Sequence, residues 1–179
     1  MSGSGAPSLD FTWILPNLAM GGARSIERAE ELARAHNIRH IVDVRLEQKD
    51  DEEILRRHGM TLLHLPTEDM CAIALEMIDH GVAWVRGHLD HGSRVFIHCQ
   101  WGIGRSALLT CCVLVSLGYS PAQALELAKK NRPIVSPSPE QLEALLAWSH
   151  NQRAKDGEPP HTETWVDLAA IAYGHRKDV

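Results

Sequence analysis

No stretch of this 179-residue chain approaches 18 consecutive apolar residues, so no membrane-spanning helix is expected. The opening MSGSGAPSLD lacks the basic and apolar regions of a secretory signal and reads as a flexible leader over residues 1–10. Positive charge is in short supply: 18 Lys and Arg face 23 Asp and Glu, for a net charge of −5. That balance argues against a general nucleic-acid or membrane-surface binder, and an anionic substrate must be drawn in by a local site. Cysteine is sparse, at Cys71, Cys99, Cys111 and Cys112, and no spacing suggests a zinc ribbon or a disulfide framework. The eleven histidines are scattered, with no HExxH pair, so no metal is expected. Free thiols imply a reducing compartment, and the expected location is the cytoplasm.

What is present is a chain of one-domain length in which apolar residues make up 44%, enough for a substantial core. Residues 11–22 read as two short strands around Pro16–Asn17, and Ser25 as the cap of a helix through Ile26, Ala29, Leu32 and Ala33, ended by Asn37. Buried strands are expected at 38–44, 60–66 and 94–98, each short and rich in β-branched or aliphatic residues. A polar stretch from Leu46 to His58 separates the first two as a loop with a short helix. Helical spacing runs from Ala74 to Leu89, and Ser106 to Leu117 forms an almost wholly apolar helix stopped by Gly118. Ser120-Pro121 and Ser138-Pro139 each open another. After Asn151 the chain turns polar, so the catalytic unit is drawn at 11–152, followed by a linker and tail at 153–179 with one further helix near 164–173. Alternating strands and helices give an α/β fold with a central, mostly parallel sheet covered by helices.

The strand at 94–98 runs straight into Cys99-Gln-Trp-Gly-Ile-Gly-Arg105-Ser106 and then a helix. Ligands bind at the carboxyl ends of such strands. A tight turn of this length directs several backbone N–H groups at one centre, with Gly102 and Gly104 giving the freedom required. The helix adds the positive end of its dipole, and Arg105 adds a planar fork matched to two phosphate oxygens. Those features lower the pKa of Cys99 and make it a thiolate aimed at phosphorus. His98 is expected to hold the loop and favour that thiolate, and Ser106 to donate to it as it departs. The loop interior, Gln100, Trp101, Gly102, Ile103 and Gly104, forms the substrate-binding wall, and Trp101 with Ile103 suggests an apolar rim for an aromatic phosphoester.

The string from His98 to Ser106 resembles the signature of the protein tyrosine phosphatase superfamily, and residues 11–150 follow the element order of small atypical dual-specificity phosphatases. The resemblance implies a cysteine-phosphatase fold and hydrolysis of phosphomonoesters through a phosphocysteine, with no cofactor. It also supports Asp69, 30 residues before Cys99, as general acid; by placement alone Glu68 is the competing carboxylate. Gln141 is read by the same resemblance as a pocket-lining residue, with surface solvation as the alternative. Arg132-Pro133 is expected to shape the preceding loop, Asp43 and Arg45 to brace the phosphate loop or pair structurally, and Cys71 to be a half-buried thiol or a redox partner of Cys99. The expected ligands are a phosphorylated protein or another phosphomonoester, with phosphate, sulfate or vanadate entering the same loop; the chain is read as a monomer. A phosphate-recognition module without turnover and a lipid or small-molecule phosphatase are the competing readings on the same fold. A sulfurtransferase, which also sets a cysteine between strand and helix, is disfavoured by Gly102, Gly104 and Arg105-Ser106.

Overall fold

The computed structural model of the protein describes residues 8–174. Most of the expected leader, residues 1–7, and the last five residues of the tail lie outside that range. Two strands, β1 (Phe11–Leu15) and β2 (Leu18–Gly22), pair antiparallel across the Pro16–Asn17 turn. They are followed by a 3-10 turn (Ala23–Arg28), α1 (Ala29–Arg34), β3 (Ile38–Arg45), α2 (Glu52–Arg57) and β4 (Thr61–Thr67). Then come α3 (Leu75–Asp90), β5 (Arg94–Cys99), α4 (Arg105–Ser116), α5 (Pro121–Asn131), α6 (Pro139–Lys155) and α7 (Trp165–Tyr173). The sheet order is β1-β2-β5-β3-β4, and every pairing except β1–β2 is parallel. The fold is therefore a mostly parallel α/β sheet flanked by helices.

Side-chain alternation divides the core between the two faces of the sheet. Val42, Val44, Val95, Ile97 and Cys99 face the larger cluster, which α3 to α7 complete. Ala19, Ile41 and Phe96 face the smaller one, under α1 and α2. Cys99 and His98 thus project to opposite faces of β5. In α4, Leu108, Leu109, Val113 and Leu114 are buried, at about 1.5–3 kcal/mol each. That burial fixes the axis of the helix whose N-terminus faces the Cys99 loop.

Four helix starts follow the local code. Ser120 and Ser138 form capping boxes with Gln123 and Gln141, with proline at the first helical position, Thr164 forms one with Asp167 at α7, and Asp51 caps α2. Asn37 and Gly118 end their helices at φ of 54° and 105°. The assignment of Ser25 as a helix cap is corrected. Ser25 lies inside the 3-10 turn, is fully buried, and makes no capping bond, and α1 begins only at Ala29. The Ala23 N–H donates to the Gln100 carbonyl, so the segment after β2 is held against the cysteine loop before a regular helix can start. At the other end, α7 carries Leu168 and Ala172 into the larger core and packs on α5 and α6.

Candidate active site

Cys99 ends β5 and is buried, and its Sγ accepts the Gly102 N–H at 3.2 Å and sits 3.3 Å from Ser106 Oγ. Burial pushes this thiol up, but the Ser106 hydroxyl and the N–H groups of Ser106, Ile103 and Gly102 outweigh it and hold the pKa below the ordinary value. The loop's carbonyls are tied outward. Gln100 O accepts from Ala23 N–H at 3.1 Å, and Ile103 O from Ser136 N–H at 3.0 Å. Arg132 takes those of Trp101 and Gly102. Because a trans peptide is planar, each outward carbonyl turns the next N–H inward, which makes the nest.

Arg105 is almost wholly buried at the start of α4. Its Nη1 donates to Thr67 O at 2.9 Å and Glu47 Oε2 at 2.7 Å, and its Nη2 to Glu47 Oε1 at 2.7 Å. Asp69 Oδ1 lies 3.2 Å from Nη2. The Nε is buried with no hydrogen-bond partner among the described residues. The Arg105 hydrogen bonds hold the Glu47 carboxyl at about 2, so Glu47 is a fixed anion and cannot serve as a proton donor near neutral pH. Asp69 reaches Arg105, whereas Glu68 is exposed and is not among the partners of Arg105. The segment carrying Asp69 is pinned by the start of α6. Ser138 Oγ donates to Met70 O at 2.7 Å, Gln141 Nε2 to Cys71 O at 3.0 Å, and Ala72 N–H to Glu140 Oε1 at 3.2 Å.

Gln141 is therefore buried rather than solvated, spending its side chain on the α6 cap and on Cys71, with Oε1 close against Gly104. Gln100 turns its side chain away from the centre, its Oε1 accepting from Arg45 Nη1 at 3.2 Å. Trp101 is 58% exposed on the loop, and Leu46 and Met70, the chain neighbours of the Arg105 partners Glu47 and Asp69, are exposed as well. Partial burial first, and then Glu140, Glu68 and Asp69, push the Cys71 thiol up.

Beneath the loop runs a buried ionic network. Arg45 bonds Asp43 Oδ1 at 2.9 Å through Nε and Asp50 Oδ1 at 2.8 Å through Nη2. His98 Nε2 lies 2.6 Å from Asp50 Oδ2, and Nδ1 lies 3.2 Å from the Cys99 carbonyl. His98 thus meets the backbone of the loop, not the sulfur. Asp43, Asp50 and His98 bring three ligand-type atoms within 4.8 Å of one another, but Arg45 occupies their carboxylates. Sequence reasoning passed over Glu47 and Asp50. The available signal was their place just beyond the carboxyl end of β3, beside β5.

A phosphatase family model, described as the Swiss Army Knife protein DSP-PTPase phosphatase domain, matches residues 9–166. The chain belongs to this family. It is a tyrosine/dual-specificity type phosphatase, a phosphoric monoester hydrolase. Human dual specificity phosphatase 28 is 28% identical over 82% of this chain and 84% of its own length. Human phosphatidylglycerophosphatase and protein-tyrosine phosphatase 1 is 26% identical over 79% of this chain and 76% of its own. The crystal structure of a mouse dual specificity phosphatase complexed with zinc tungstate superposes with a TM-score of 0.77 at 24% identity, covering 90% of this chain and 99% of that one. That likeness speaks to the fold. No helix of this phosphatase, among the described residues, is long and apolar enough to cross a membrane.

Proposed function

We propose that Cys99 attacks the phosphorus of a monoester seated on the 99–105 loop and that turnover passes through a phosphocysteine. The observation that carries this reading is the sulfur's environment, in which hydrogen-bond donors outweigh the cost of burial. A thiolate held in this way is a nucleophile that needs no base. In the first step the S–P bond forms, the P–O bond to the leaving group breaks, and Asp69 gives that oxygen its proton. In the second, Asp69 takes a proton from water, the new O–P bond forms, the S–P bond breaks, and Ser106 Oγ donates to the departing thiolate. Arg105 and the inward amides carry the charge on the equatorial oxygens throughout, and the unpartnered Nε supports that role.

The exposed Trp101 of the loop, with exposed Met70 and Leu46 next in the chain to Asp69 and Glu47, favours an aryl phosphate such as phosphotyrosine. The same apolar side chains fit a lipid phosphate, the reading that the relative named as a phosphatidylglycerophosphatase favours. Residues 11–152 hold every group invoked, and the free thiols suit the cytoplasm. Acid-quenching a single turnover of p-nitrophenyl phosphate tests the mechanism. Phosphate is expected on the Cys99 peptide, with EDTA making no difference and vanadate blocking the reaction. Phosphate release with no labelled Cys99, or release abolished by EDTA, would sink it.

A further inference from the structure

Two peptide units of the loop serve Cys99 directly, and both are held from behind by one side chain. The unit joining Trp101 to Gly102 donates its N–H to Sγ at 3.2 Å. The unit joining Gly102 to Ile103 supplies another of the backbone donors that lower the thiol pKa. On their far sides, the Trp101 carbonyl accepts from Arg132 Nη2 at 3.0 Å and the Gly102 carbonyl from Arg132 Nε at 2.8 Å. Arg132 follows α5, 30 residues beyond Gly102, and is buried. Asp10 Oδ1, 2.8 Å from Nη2, balances its charge, and Thr12 Oγ1 lies 3.4 Å from Nη1. Gly102 adopts φ of +65°, and a Cβ there would lie 2.6 Å from Arg132 Nη2 and 2.5 Å from the Gly21 carbonyl carbon. The guanidinium therefore packs where a side chain would otherwise stand.

Planarity ties the two sides together: a carbonyl drawn toward Arg132 commits its N–H to the sulfur side. A cation hydrogen-bonded to the carbonyl also polarises the peptide and strengthens its N–H as a donor. We propose that Arg132 is a positioning residue for the nucleophile, holding two peptide units carbonyl-outward and so stabilising the Cys99 thiolate from outside the substrate site. This rests on Cys99 being the nucleophile. The plainer alternative is that Arg132 only staples the end of α5 to Asp10 and Thr12, which predicts a loss of stability with the thiol unchanged.

The two are separated by the pH dependence of Cys99 alkylation with iodoacetamide, read by mass spectrometry of the Cys99 peptide, in the full chain and in Arg132→Met and Arg132→Lys. Wild-type Cys99 is expected to titrate below an ordinary thiol. In Arg132→Met the midpoint moves up, and alkylation near pH 6 slows about five- to tenfold. Arg132→Lys, which keeps the charge but loses the fork, falls between. If Arg132→Met does not fold by circular dichroism, the lysine variant carries the comparison. A folded variant that titrates as the wild type does, however much its melting temperature falls, overturns the inference. A wild-type midpoint at the ordinary thiol value would instead overturn the nucleophile assignment, and this inference with it.

Discussion

Glu47 clasps the outer edge of Arg105, each carboxylate oxygen 2.7 Å from one terminal nitrogen of the guanidinium. Thr67 O takes a further Nη1 proton, and Asp69 faces Nη2. The edge left over is the inner one, with Nε unpartnered and Nη2 shared with Asp69. In the proposed reaction an oxyanion arriving above Cys99 gains Nε and competes with Asp69 for Nη2. On the proposed mechanism Glu47 aims the fork without meeting the substrate, and Asp69 gives up its cation as the substrate binds.

The first prediction concerns aim. Glu47→Ala leaves Arg105 charged but held on that edge by Thr67 O alone, so the fork loses its fixed bearing. Hydrolysis of p-nitrophenyl phosphate is expected to fall about tenfold in kcat/KM, with vanadate inhibition weakened in step. Unchanged vanadate inhibition would remove Glu47 from this role.

The second concerns the competition at Nη2. Asp69→Asn removes the proposed proton donor and the anion that contests Arg105. kcat is expected to drop about 10²- to 10³-fold. Vanadate should bind at least as tightly as to the wild type. Weaker vanadate binding would mean that Asp69 supports the anion rather than competing with it.

The third follows from the 3.3 Å contact between Cys99 Sγ and Ser106 Oγ. On the proposed mechanism the thiolate is the reactive form, so the acidic limb of kcat/KM rises with pH through the Cys99 titration. Ser106→Ala removes the largest of the groups that lower the thiol pKa, and the rising limb is expected to move to higher pH. Dephosphorylation suffers as well, since the departing sulfur loses its donor, and a pre-steady-state burst should appear. A limb at the wild-type position would show that the amides alone hold the thiolate.

Legibility in the sequence followed the distance over which each interaction is encoded. The Cys99–Arg105 loop is read easily because its strand, glycines, arginine and helix are consecutive, and the Ser138 and Ser120 helix starts are equally local. Glu47 lies 58 residues from Arg105, and Asp50 lies 48 from His98. Only the parallel pairing of β3 with β5 brings those two loops together, and a polar stretch after a strand looks the same whether it is solvated or gripping a buried cation. Ser25 misled for a related reason. Its local pattern is that of a cap, but the tertiary bond from Ala23 to Gln100 sets the backbone.

The last prediction lies away from the site, where β3 meets α3. The His40 ring stacks on His88 with centroids 3.5 Å apart, edge-on to Trp84, and its Nδ1 is 2.7 Å from Thr61 Oγ1. Burial first, and then the charges of His88 and Arg39, lower the His40 pKa from 6.5 to about 4, and His88 is lowered in the same direction. The folded state therefore resists a proton that the unfolded chain accepts below pH 6.5. Between 6.5 and about 4 the unfolded state binds more protons, so stability falls as pH drops through that window. The ring is partly open to solvent, which screens the effect to about 1 kcal/mol. The urea midpoint should thus be lower near pH 5 than near neutrality, and His40→Phe, which keeps an aromatic ring against Trp84 and His88, should narrow that difference. An equal drop in His40→Phe would assign the acid sensitivity to other groups.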